Sequence, residues 1–209
     1  MPNRIILLSG RPAAYHVAAA LEQHRAGLDI LYASTAEQLA EAADAIDGAT
    51  RLIGFCIDVV VPPAILERLP GPAYNIHPGP PAYPGAFPGA LALYDGATRY
   101  GATLHEMRVR VDDGPIVGTL AFDVPADATL AWLKARSQKA AFRLLLHFAR
   151  GLATLDAPLP HLAGERWGER RASKRYVRSL ALITDDLPPE EAARRRRAFA
   201  DEPWLQKPA

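Results

Sequence analysis

Tyr74-Asn75-Ile76-His77-Pro78-Gly79-Pro80-Pro81-Ala82-Tyr83-Pro84-Gly85-Ala86-Phe87-Pro88-Gly89 decides how the rest of the chain is read. Its first three residues read as a short strand. From His77 to Gly89 there are five prolines and three glycines, which excludes a regular helix or a central strand. The segment is too apolar for an ordinary linker, because Ala82, Tyr83, Ala86 and Phe87 call for cover. A stiff loop packed over a cleft fits, since proline fixes the backbone before anything binds; a rigid connection that lines nothing is the alternative.

Upstream, short apolar runs alternate with helical patterns. Ile5–Leu8 reads as a buried strand ending in the loop Ser9-Gly10-Arg11-Pro12. A helix is expected over Ala13–Ala26, a strand over Asp29–Tyr32, and a helix through Ile46 capped by Ser34 or Thr35. Leu52–Ile57 is a third strand, unbroken by charge, and Pro62 opens a short helix over Pro63–Leu69. This βαβαβαβ rhythm predicts an α/β fold, a Rossmann-like, mostly parallel sheet with helices on both faces.

Downstream, a short helix is expected over Gly89–Tyr94. Gly101–Val111 reads as a strand with Thr103, His105, Met107 and Val109 on one side, turning at Asp112-Asp113-Gly114-Pro115 and returning as Ile116–Phe122. Asp127 is placed to cap a long helix over Ala128–Arg150, whose stripe of Leu130, Leu133, Ala141, Leu144, Leu145 and Phe148 belongs to a core or a partner face. A last helix is expected over Pro189–Ala200, with Arg194–Arg197 read as solvated surface or a phosphate-facing patch. The expected organisation is a domain over 1–160 and a small C-terminal appendage over 161–209 that contacts the acceptor or a second subunit.

Bulk properties narrow the function. The chain has 209 residues, 49% of them hydrophobic, with 24 basic and 23 acidic side chains and a net charge of +1. Nothing global draws it to nucleic acid or membrane, although the part from Ala163 onward is locally basic, with 11 basic against 8 acidic residues. The single cysteine, Cys56, fits a reducing compartment and reads as a buried thiol. No apolar stretch approaches the roughly 20 residues a spanning helix needs, so a soluble, cytoplasmic protein is expected. The six histidines lack the short helical spacing of a zinc site and no cysteine cluster accompanies them, so no metal is expected. A GxGxxG or P-loop pattern is missing from the first strand turn, so no dinucleotide is expected.

Asn75 and His77 lie two apart on a strand and so point to one side. Asp112, from another strand's turn, can meet them at the sheet edge where open α/β folds bind ligands. An imidazole that titrates near neutrality, an amide N–H donor for a developing oxyanion and a carboxylate that orients the imidazole suit acyl transfer to an amine. Ordinary polar satisfaction at strand ends is the alternative for the same three residues.

The series Asn75-Ile76-His77-Pro78, Tyr83, Gly85, Pro88, Gly96, Gly101, Thr103, His105 and Asp112-x-Gly114-x-Ile116 resembles the formyltransferase family that uses 10-formyltetrahydrofolate. That family includes glycinamide ribonucleotide transformylase, methionyl-tRNA formyltransferase and the sugar N-formyltransferases. The resemblance covers roughly residues 4–151. It implies Asn75, His77 and Asp112 as catalytic groups. For the folate it implies Phe55, Cys56, Ile57, Asp58, Val59 and Val61 on one side and Val109, Arg110, Val111 and Asp113 on the other. Ser9, Gly10, Arg11, Pro78, Gly79 and Tyr83 are expected to face the acceptor.

Two departures stand out. Pro78-Gly79-Pro80-Pro81 replaces the common Pro-Ser-Leu-Leu-Pro, and Pro84 replaces the usual basic residue. Both lie in the loop that commonly faces the acceptor. The near-neutral charge and a length too short for an added β-barrel argue against tRNA, and Pro12 spoils a phosphate loop of the purine type. The acceptor expected is a small-molecule amine, phosphate-bearing, on a nucleotide-linked sugar. A small amine such as an ornithine derivative, or a non-catalytic folate- or protein-binding module working through Trp132, Trp167 or Trp204, are the alternatives. A homodimer is expected.

Overall fold

The structure, a computed structural model, describes residues 1–199. Six strands form one sheet in the order β2-β1-β3-β4-β5-β6. β1 (Arg4–Ser9) lies between β2 (Asp29–Ala33) and β3 (Thr50–Phe55), and β4 (Tyr74–His77) follows β3, all in parallel. β5 (Arg99–Glu106) and β6 (Ile116–Asp123) then run antiparallel. The connections match the pairing on either side of this reversal. Each of the first three crossovers contains a helix, as parallel pairing requires, whereas β5 and β6 share a hairpin.

Strand parity sorts the core. Ile5, Leu7, Ile53 and Phe55 face the cluster made with α1 (Arg11–Glu22) and α5 (Leu130–Thr154). Ile6, Leu8 and Leu52 face the opposite cluster with α2 (Ala36–Ala43) and α3 (Pro63–Leu66). Burial on both faces explains why these strands read as unbroken apolar runs.

Several expected boundaries move, each for a local reason. α1 begins at Arg11 because Pro12 occupies an opening position where its missing N–H costs nothing. Thr35 rather than Ser34 caps α2, accepting from the Gln38 N–H at 3.2 Å. Asp127 does not cap α5. Thr129 does, accepting from the Trp132 N–H at 3.1 Å. The strand expected to reach Val111 stops at Glu106 after a register shift at Leu104/His105, so Val109 and Val111 stand exposed in a loop.

The C-terminal residues form α6 (Lys174–Ala181) and α7 (Pro189–Phe199). Val177, Ala198 and Phe199 join α4 (Pro88–Tyr94) and the start of α5 in a third apolar cluster. The arginine run is tied to the protein rather than merely solvated. Arg194 stacks on the Tyr94 ring and bonds its carbonyl, Arg195 pairs with Glu191 at 2.6 Å, and Arg197 donates to the Ala126 carbonyl at 2.6 Å. Ala200 and Trp204, named in the sequence reading, lie outside the described residues.

Candidate active site

The carboxyl ends of β3 and β4 and the loop after β5 enclose a cavity of about 990 Å³. Asn75 and His77 reach it from alternate positions of β4, and Asp112 comes from the 107–115 loop. Asn75 and His77 share a side of β4, as strand alternation predicts, and Asp112 meets His77 there. Asp112 is 4% exposed, and its two oxygens face two imidazoles: His77 Nδ1 at 3.4 Å and His105 Nε2 at 3.3 Å. The Gly85 N–H donates to Oδ2 at 2.7 Å.

Burial alone would raise the Asp112 pKa. The charges of His77 and His105, with the bonds from His105 and the Gly85 N–H, outweigh it and bring the value down to about 2. The carboxylate is therefore ionised at neutral pH. Burial also dominates at His77 and lowers its pKa; His105 adds to the lowering and Asp112 opposes it. Both nitrogens of His77 face acceptors, the carboxylate and, at 3.1 Å, the Tyr83 carbonyl. A ring that gains a proton is thus held at both ends.

His105, part of the family series but without a role assigned from sequence, is a further residue of the site. It is the antiparallel partner of Asn75 across the β4–β5 pair. Its Nδ1 lies 2.7 Å from the Glu106 carbonyl, and its Nε2 sits between the Asn75 side-chain nitrogen at 3.2 Å and Asp112 Oδ1 at 3.3 Å. One amide proton of Asn75 remains for the cavity, and Asn75 Oδ1 is buried without a hydrogen-bond partner. Trp167 covers the pair, its ring edge-on to His77 and His105 at centroid distances of 5.8 and 4.9 Å. Nothing periodic marks Trp167 in the sequence.

The proline loop is fixed by side chains beneath it. Tyr100 donates to the Pro78 carbonyl at 2.9 Å and Thr103 to the Gly79 carbonyl at 2.8 Å. Gly79 has a steric reason to replace the family's usual serine: a Cβ there would lie 2.6 Å from His77 Nε2. Gly85 has φ +94°, and a Cβ on it would lie 2.4 Å from the Ala172 carbonyl oxygen.

The expected folate residues divide. Cys56, Ile57, Asp58, Val59, Val61, Arg110 and Val111 line the cavity; Phe55, Val109 and Asp113 lie behind or beside the lining. Burial pushes the Cys56 thiol up to about 12, so it is a wall rather than a nucleophile. Of the expected acceptor residues, Pro78 lines the cavity, whereas Gly79 and Tyr83 support it from outside the lining. Ser9, Gly10 and Arg11 are not brought to it: Ser9 is 2% exposed and donates to the Phe55 carbonyl at 3.2 Å, and Arg11 is exposed at the start of α1. Among the described residues no group of three or more His, Cys, Asp or Glu is arranged to hold a metal ion, and no helix is long and apolar enough to cross a membrane.

A sheet whose strand ends gather an amide, two imidazoles and an ionised carboxylate around a deep cleft defines an α/β domain equipped for group transfer. Residues 9–148 match the family model described as formyl transferase, and the chain belongs to that family. It is 26% identical over 143 residues to a methionyl-tRNA formyltransferase from Janthinobacterium sp., a match covering 68% of this chain but only 44% of the relative's length. An N-formyltransferase from Helicobacter canadensis, solved with folinic acid and dTDP-3-aminofucose, shares the fold with a TM-score of 0.75 at 13% identity, covering 98% of this chain and 82% of that one. A sugar N-formyltransferase from Shewanella sp. gives a TM-score of 0.75 at 16% identity, covering 94% and 87%.

Proposed function

We propose that the protein transfers a formyl group from 10-formyltetrahydrofolate to a primary amine, and that this amine is the amino group of a nucleotide-linked amino sugar. The observation that carries the reaction is the meeting of Asn75, His77 and Asp112 at one cavity wall with an Asn75 amide proton still to be used. The folate supplies the formyl carbon when bound. The mainly apolar walls around Ile57–Val61 and Met107–Val111 suit a flat heterocycle, and these residues would hold it.

The chain's own groups then divide the work. His77, neutral at rest because it is buried, takes the proton that the acceptor ammonium must lose before its nitrogen can attack. The resulting imidazolium is stabilised by Asp112. Its positive charge and the Asn75 N–H stabilise the formyl oxygen as negative charge builds there; as the carbon–nitrogen bond to the folate breaks, the imidazolium returns its proton to the leaving nitrogen and takes up the second amine proton. Trp167 and the proline loop exclude water from this corner.

For the acceptor, support comes from the sugar N-formyltransferase relatives and from the aminosugar nucleotide bound to the Helicobacter protein. Pro78, Gly79 and Tyr83 shape the loop on that side. The test is calorimetric titration with 5-formyltetrahydrofolate, followed by transfer assays on nucleotide-linked amino sugars and on small amines of the ornithine type. His77→Ala is expected to keep folate binding and to lower kcat about 10²- to 10⁴-fold. Absence of folate binding, with and without acceptor, would sink the donor assignment; transfer to the small amines alone would overturn the acceptor assignment.

A further inference from the structure

The catalytic reading uses the Asp112 carboxylate but leaves its backbone unexplained. Asp112 has φ 48°, a left-handed conformation that a non-glycine residue keeps only where its surroundings over-determine it. Two adjacent residues between α5 and α6 do so from two directions. Arg171 Nη2 donates to the Asp112 carbonyl at 2.6 Å and to Asp113 Oδ1 at 2.8 Å. Ala172 forms a parallel bridge with Gly85, accepting from the Ala86 N–H at 2.8 Å and donating to the Pro84 carbonyl at 3.0 Å. Gly85 is the residue whose N–H holds Asp112 Oδ2. Further contacts complete a strap: the Trp167 indole donates to the Gly114 carbonyl at 2.8 Å, and the Gly168 N–H to the Pro81 carbonyl at 2.8 Å.

We propose that Arg171 is a positioning residue, which holds the left-handed turn of Asp112 so that one carboxylate meets both His77 and His105. Its side chain is 15% exposed and its Nε is buried without a hydrogen-bond partner, so the guanidinium is committed to this turn through Nη2. Arg171 meets Asp112 at its backbone carbonyl, whereas the carboxylate is met by the two histidines and the Gly85 N–H. Its effect is geometric. The inference rests on the catalytic reading above for its kinetic consequence, and on the contacts alone for its structural one.

The experiment compares full-length wild type, Arg171→Ala and Arg171→Lys. In ligand-free protein the His77 titration is followed by NMR; kcat and the two KM values are measured with folate donor and amine. The groups facing His77 are Asp112 from the 107–115 loop, His105 from β5 and the Tyr83 carbonyl from the proline loop. Of these only Asp112 moves its titration upward through charge. Arg171→Ala should therefore lower the His77 midpoint. It should also reduce kcat about tenfold to a hundredfold, the cost of misplacing a catalytic group by about an ångström, with KM for the donor within about threefold. Added guanidinium should restore part of both changes, and Arg171→Lys should retain part of them.

An unchanged midpoint with unchanged kcat would overturn the proposal. So would a variant that loses folate binding and midpoint together and is not rescued by guanidinium, which marks general damage. If wild type transfers nothing to any amine, the proposed function fails, while the midpoint and its rescue still decide the role of Arg171.

Discussion

Asp112 concentrates the chemistry of the site in one side chain. The three non-glycine residues with left-handed backbone among those described, Cys56, Phe87 and Asp112, all border the cavity. Such conformations cost on the order of 1–3 kcal/mol each, and they gather where geometry matters more than stability. For Asp112 the return is an ionised carboxylate between two imidazoles. Its pKa is held at about 2 against an ordinary 3.8, so the native state binds fewer protons than the unfolded chain between these values. The stability this contributes is complete above about pH 4 and is lost as pH falls toward 2; the size is about 2 kcal/mol. His77 acts in the same direction. Its folded pKa lies below 6.5, so acidification below that value favours the unfolded chain. Asp112→Asn should remove the step between pH 4 and 2 from a plot of unfolding free energy against pH. It should also lower kcat by about 10² or more, with folate affinity little changed. A variant whose acid unfolding matches wild type would show that the carboxylate is not the group responsible.

Among the elements, those fixed by local pattern were legible and those fixed by tertiary contact were not. Burial on both faces made β1 and β3 readable as unbroken apolar runs over Ile5–Leu8 and Leu52–Phe55, and strand alternation placed Asn75 and His77 on one side of β4. The end of β5 was not readable, because the Met107 N–H leaves the hairpin to bond the Ala73 carbonyl at 2.7 Å and the apolar Val109 and Val111 are spent on the loop. His105 stood in the family series without a catalytic role, because its place beside Asn75 depends on the β4–β5 pairing, which the sequence does not fix. Trp167 and Arg171 belong to a strap without regular structure, and such a segment leaves no period to detect. The cap of α5 is a smaller case: Asp127 and Thr129 are both capping residue types, and Thr129 makes the bond. Thr129→Ala should cost about 1 kcal/mol, a fall of about 2–4 °C in Tm for a chain of this size. Asp127→Ala should stay within about 0.5 kcal/mol. Thermal unfolding of the two variants side by side decides it, and the reverse order would return the cap to Asp127.

At the scale of the whole molecule the question is whether the C-terminal residues are an appendage or part of one folding unit. The sequence suggests a boundary near residue 160, where turn residues gather and the basic excess begins. The packing runs across that boundary. Ala172, Val177, Ala198 and Phe199 are buried in the same cluster as Leu91, Tyr100, Leu130 and Leu133. Tyr94 donates to Glu191 at 2.8 Å, and the strap joins the two loops that carry Asp112 and Gly85. On the opposite side of the boundary, Arg51 from β3 donates to the carbonyls of Leu152 and Leu155 at 2.7 and 2.6 Å, closing the end of α5 against the sheet. Elements that share a core unfold together. In a Trp132→Phe/Trp204→Phe background, Trp167 alone reports on the strap, while far-UV circular dichroism reports on sheet and helices. The two denaturation curves should coincide, and 5-formyltetrahydrofolate at about 100 times its Kd should raise both by about 2.7 kcal/mol, because the ligand binds a site built from both parts. A Trp167 transition at lower denaturant, unmoved by folate, would divide the molecule at the strap and would leave the catalytic wall complete without it.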